Sequence, residues 1–200
     1  MTTHPLNVFI NCPFDDDYKP LLEALIFTIT ACGYRVRCAL EDNDTGNIRY
    51  DKLCTLIQES PRSIHDLSRV ELSAGSGLPR FNMPFELGLY SGARRFGSPA
   101  QRTKTTFIMV ETRYRLPIYL SDLAGNDPHE HSRNPDQVIR IVRDYLGNNP
   151  TTGKRQPGAA SMRRDFHEFK DKLPELATSA ELTLAEIHPI TCYADYLNLV

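Results

Sequence analysis

The sequence predicts an α/β fold: a parallel sheet with helices on both faces, followed by a helical C-terminal extension. Three observations predict it. Short apolar runs recur at Asn7 to Asn11, Tyr34 to Leu40, Ser63 to Leu67 and Thr105 to Val110. The segments between the first runs carry apolar residues at three- and four-residue intervals, the period of a helix. A chain of 200 residues with 40% hydrophobic content also suffices for one well-buried core and is short for two. The α/β domain is therefore expected over residues 1–147, with residues 161–200 packed on it as helices.

The elements follow in order. NVFIN is the first strand, and PFDDDY announces a helix whose stripe is Leu21, Leu22, Leu25, Ile26 and Ile29, with Gly33 as its stop. YRVRCAL alternates apolar and polar residues, as a strand near a sheet edge does. Arg49 to Glu59 returns to helical spacing through Leu53, Leu56 and Ile57. After the third strand, a loop containing Gly75 and Gly77 leads to a helix from about Pro84 to Arg95, and Thr105 to Val110 is the fourth strand. Strands alternating with helices imply a parallel sheet with right-handed crossovers; a flavodoxin-like order, which sequence alone does not fix, would place the first strand between the second and third. Beyond Glu111, Tyr114 to Ala124 suits a short helix and Gly125 to Pro135 reads as a polar loop. Asp136 to Leu146 is helical, Asn148 to Ala160 is a linker or mobile loop, and Ser161 to Leu173 is a further helix before two short elements near Leu182 to Ile187 and Tyr193 to Leu199.

Composition excludes some functions. Net charge is −2 and arginines cluster only in pairs, so a broad nucleic-acid footprint is not expected. Five cysteines at irregular spacing, without a CxxC pair, read as free thiols of a reducing compartment and not as a zinc site. Neither a basic leader nor an apolar run of membrane length is present, which points to the cytoplasm and away from a membrane.

Chemistry concentrates between Ile64 and Ala93. Asp66 falls where the third strand leaves the sheet, at the edge where parallel sheets bind small ligands. In FNMPFELG, Pro84 as first helical residue places Glu86 in the first turn, within reach of free amides and the positive dipole end, so that its carboxylate stays ionised. Such an anion stabilises positive charge on a substrate or attacks it; the same position also serves ordinary capping. Gly88 and Gly92 give that helix a narrow face for close approach to the sheet. His65 points away from Asp66 on a regular strand and packs against a helix. In the loop after the first strand, Phe14 either stacks on a base or staples its helix, and Asp15 to Asp17 match the helix dipole. His129 and His131 lie in a polar segment without supporting ligands and read as surface loop. P-loop, Rossmann and GxSxG motifs are missing.

VFIN with the acidic PFDDDY helix start, then D-x-S and a Gly-containing loop leading to F-E-L-G, resembles the superfamily that joins TIR domains with nucleoside 2-deoxyribosyltransferases. The similarity covers roughly Asn7 to Val110. It implies cleavage of an N-glycosidic bond, with Glu86 as catalytic glutamate and Asp66, with Ser68 of the same D-x-S, as substrate-binding residues. Asn82 would face the sugar hydroxyls, and Phe14 with Asn11 would line the base side. It further implies a metal-free, cofactor-free reaction with NAD as candidate substrate, a role in anti-phage defence, and a homo-oligomer working with a defence-system partner. A nucleotide-sensing or partner-recruiting binding module without turnover and a deoxyribosyltransferase are the alternatives. Departures from the pattern are the missing S/T-rich motif on strand one, the missing Trp near the glutamate, the long loop between Asp66 and Glu86, and the C-terminal extension. All readings require Asp66 and Glu86 to open into a common hollow.

Overall fold

The computed structural model describes residues 4–41, 44–69, 77, 80–113, 118, 120–148, 151–153 and 155–200. Strands β1 (Asn7–Asn11), β2 (Arg35–Arg37), β3 (Arg62–Asp66), β4 (Thr105–Val110) and β5 (His129–Glu130) form one parallel sheet in the order β2-β1-β3-β4-β5. This is the flavodoxin-like order, with β2 at an edge as its alternation implied. Helices α1 (Lys19–Ala31), α2 (Arg49–Glu59), α3 (Asn82–Phe96) and α4 (Pro99–Arg102) come between the strands. Helices α5 (Pro135–Gly147), α6 (Ala159–Ser179) and α7 (Tyr193–Leu199) follow them. Among the described residues, no helix is long and apolar enough to cross a membrane.

The chain divides into two compact units, residues 1–13 with 36–133 and residues 14–35 with 134–200. In the first unit, Phe9 of β1 packs with Leu53, Leu56 and Ile57 of α2 and Tyr90 of α3. The Phe9 and Tyr90 rings stack with centroids 6.5 Å apart, and His65 meets both edge-on. His65 thus packs against a helix, on the face opposite Asp66, as the strand period required. Burial pulls its pKa down to about 3 and keeps it neutral. A second cluster joins Leu67, Met83, Leu87 and Val110. Buried Lys104 closes the end of α2 by donating to the carbonyls of Ile57 (2.7 Å) and Ser60 (2.5 Å), which also accept from the Ser60 amide and the Tyr90 hydroxyl. Its ammonium also stands 4.8 Å over the Tyr90 ring.

The second unit holds α1 against α5 and α6. Phe27 of α1 meets Phe166 and Phe169 of α6 at 5.4 and 5.6 Å between centroids, and buried Glu23 pairs with Lys170 at 2.6 Å. Gly33 ends α1 at φ +76°, where its amide bonds to Thr30 and that of Tyr34 reaches back to Ile29, the paired closure that a left-handed residue permits.

Four local expectations need correction. Helix α3 starts at Asn82, so Pro84 is its third residue and Glu86 its fifth, outside the first turn. Gly88 and Gly92 do not face the sheet: a methyl group added at either meets nothing within 4 Å. The segment read as a polar loop contains β5, paired with β4 through Met109 opposite His129 and Val110 opposite Glu130. Helix α6 continues past Pro174 to Ser179, because burial of Leu173 and Ala177 anchors the turn that proline weakens. Gly75, and Tyr114 to Pro117 with Tyr119 of the short helix expected there, lie outside the described residues.

Candidate functional site

At the carboxyl end of β2 the chain runs through a turn-rich connector into α2, because Asp44, Gly46 and Asn47 favour a local turn over a strand. Asp44 accepts from the Gly46 amide and the Asn47 side chain, both at 2.8 Å. Connector and helix border a cavity of about 860 Å³, and Glu86 of α3 forms part of its wall. Its size suits a small-molecule ligand. Arg37, Glu41, Arg49 and Lys52 supply charge around it.

Glu86 is half-buried, and desolvation pushes its pKa up to about 7, against the pull of the Arg49 guanidinium. This corrects the expectation of a fixed anion. Five residues into α3, the carboxyl has lost the helix-end amides that would hold its charge and gained a drier setting. Near neutral pH it can give or take a proton.

Asp66 has another environment. It is 0% exposed, as is His131, whose Nε2 lies 3.0 Å from Asp66 Oδ2. The amide of Ser68 donates to Asp66 Oδ1 at 2.9 Å, its hydroxyl donates to the same oxygen, and Ser68 Oγ is 2.9 Å from His131 Nε2. The Arg133 amide donates to His131 Nδ1 at 3.1 Å, so the ring proton sits on Nε2 and points at the carboxylate. A ring carrying its proton there cannot accept one from Ser68, so the trio is not a nucleophilic triad. It ties the ends of β3 and β5 together. His131 is therefore buried, contrary to the surface-loop reading, while His129 is exposed and stacks on Phe107 at 4.6 Å.

The remaining candidates are dispersed. Asn11 is buried and spends its side-chain amide on His65 Nδ1 (2.9 Å) and the Met83 carbonyl (2.8 Å), fixing the start of α3 to β1. Asn82 is exposed on the first turn of α3, and Phe14 is half-buried in the second unit. Of the six candidates only Glu86 lines the cavity, and the hollow expected to join it to Asp66 is not this one. Arg49, Arg37 and Lys52 were missed. The available signal was the turn-rich stretch after β2, since loops at carboxyl ends of parallel strands build ligand sites. Among the described residues, no group of His, Cys, Asp and Glu could hold a metal ion.

Fold and site define a flavodoxin-like α/β protein with a titratable glutamate on the wall of a cavity of small-molecule size. Comparison with models of known protein families, with curated proteins and with solved structures gives no match.

Proposed function

We propose that the protein is an N-glycosidase that cleaves the base–ribose bond of NAD or a related nucleotide, with Glu86 as the catalytic residue. The observation that carries this reading is the Glu86 carboxyl, pushed up to about 7 on the wall of a cavity large enough for the substrate. Asp66 is fully buried and does not line this cavity. The common hollow required from sequence is therefore not what supports the proposal, which rests on Glu86 and its cavity alone, without the second carboxylate. In NAD the C1′–N bond breaks with its electron pair going to the cationic nicotinamide, which leaves neutral. The ribose is left as an oxocarbenium ion, which the ionised Glu86 stabilises until water adds at C1′ and a proton is lost. The exposed rings of Tyr50 and Phe85, 6.3 Å apart, adjoin Arg49 and Glu86 in sequence and offer apolar faces to a planar base. Asp66 contributes by fixing the end of β3 to Ser68 and His131.

The pH dependence of kcat/KM tests the role and its sign. A cationic leaving group needs ionised Glu86, so NAD cleavage is expected to rise with pH through about 7 and then level off. Release of a neutral base needs a proton on that base, and the profile would fall through the same region, favouring the deoxyribosyltransferase alternative. A binding module without turnover would tie Glu86 up in a structural pair. Among the described residues no hydrogen bond or ion pair joins it to Arg49.

A further inference from the structure

Among the described residues, three side-chain cations line the cavity, and two are committed. Arg37 bonds Glu41 at 2.7 Å and Glu59 at 2.9 Å, an arrangement that fixes the guanidinium in place. Lys52 donates its ammonium to the backbone carbonyl of Asp44. Arg49 makes no hydrogen bond or ion pair among the described residues, though it shares the wall with Glu86 and its charge reaches that carboxyl.

The carboxylates around it are unequal competitors. Glu41 is held by Arg37 and by the Cys38 amide at 2.6 Å, and Asp44 by its own turn. Asp51 lies two residues beyond Arg49, about 200° around the helix, where the two side chains do not face each other. Glu86 is the carboxyl whose ionisation Arg49 senses.

We propose that Arg49 receives an anionic group of the ligand, a phosphate in a nucleotide, and so makes the cavity discriminate phosphorylated nucleosides from unphosphorylated ones. This rests on the glycosidase reading for the identity of the ligand, not for the existence of the anion site. A guanidinium presents a planar fork of donors that matches two phosphate oxygens, and an uncommitted one need break no existing bond to do so. Binding a phosphate there also counters the positive field on Glu86, so that ligand charge and the protonation of Glu86 are linked.

The experiment is calorimetric titration of the full chain with inorganic pyrophosphate, at fixed low and physiological salt, for wild type, Arg49→Gln, Arg49→Lys and Lys52→Gln. Wild type is expected to bind, Arg49→Gln to weaken binding at least about tenfold, Arg49→Lys to lie between, and Lys52→Gln to stay within about threefold. Thermal melts of each variant confirm that these wall substitutions leave the fold intact. Absence of pyrophosphate binding, equal loss in Lys52→Gln and Arg49→Gln, or no loss in Arg49→Gln would overturn the assignment. If the protein cleaves an unphosphorylated nucleoside as efficiently as its 5′-phosphate, the phosphate inference fails while the glycosidase reading stands. If pyrophosphate binding follows Arg49 but no glycosidic bond is cut, the reverse holds.

Discussion

Replacement of Glu86 by glutamine is expected to reduce nicotinamide release by about 10²- to 10³-fold, with the protein folded and more stable than wild type above pH 7. The two effects have one origin. A glutamate on the wall of a cavity pays desolvation when it ionises, which is why its pKa stands near 7 instead of 4.5. Below pH 4.5 the carboxyl is protonated in both folded and unfolded chains, and its contribution to folding is fully retained. Between 4.5 and 7 the unfolded chain gives up the proton while the folded one keeps it, so stability falls as pH rises through that window. Above 7 the penalty is complete, at most about 3 kcal/mol from the shift and about 1–2 kcal/mol once the remaining solvent contact is allowed for. Glutamine removes the titration, so the two proteins match in acid and diverge with increasing pH. Denaturant midpoints at pH 4, 6 and 8, set beside product release, check this. A variant that loses activity and stability together would mark Glu86 as a structural residue.

Substitution of Asp66 by alanine is expected to destabilise the protein by about 3 kcal/mol. The carboxylate is fully buried and accepts from the Ser68 amide and hydroxyl and from His131 Nε2. Its removal leaves those donors in a dry setting without an acceptor, and an unmet buried donor costs about 1–3 kcal/mol. Asparagine retains an acceptor oxygen and should cost less. His131→Ala combined with Asp66→Ala should cost clearly less than the two single changes added together, because both remove the same contact. Denaturant unfolding of the four proteins measures the coupling. Full stability in Asp66→Ala with activity lost would instead place Asp66 at the ligand.

Much of the scaffold was legible because its signals are local. NVFIN, RYDKLCTLIQE and TTFIMV each carry an unbroken apolar or periodic pattern, and their predicted limits coincide with β1, α2 and β4. Alternation of strands and helices indicated a parallel sheet, while the strand order was an expectation of the flavodoxin-like class that sequence alone does not fix. Where the signal depends on distant partners, sequence failed. β5 is two residues, His129 and Glu130, with no apolar run, and it is a strand only because β4 offers it a ladder. Burial of His131 depends on Asp66, 65 positions earlier in the chain. Helix α3 starts at Asn82 without a side-chain cap, so the proline two residues later drew the boundary inward and carried Glu86 into a first turn it does not occupy. Further into the helix and partly desolvated, the carboxyl titrates near neutral pH instead of standing as a fixed anion. The cavity was hidden for a similar reason, since its cations lie at the end of β2 and on α2, whose sequences read as edge strand and amphipathic surface.

Incubation of the purified protein with NAD at pH 8, with products identified by mass, is the most direct measurement of the central claim. Release of nicotinamide with ADP-ribose or its cyclised form, abolished in a folded Glu86→Gln variant, is the predicted result. Intact NAD after incubation, or equal nicotinamide release by the variant, would contradict it.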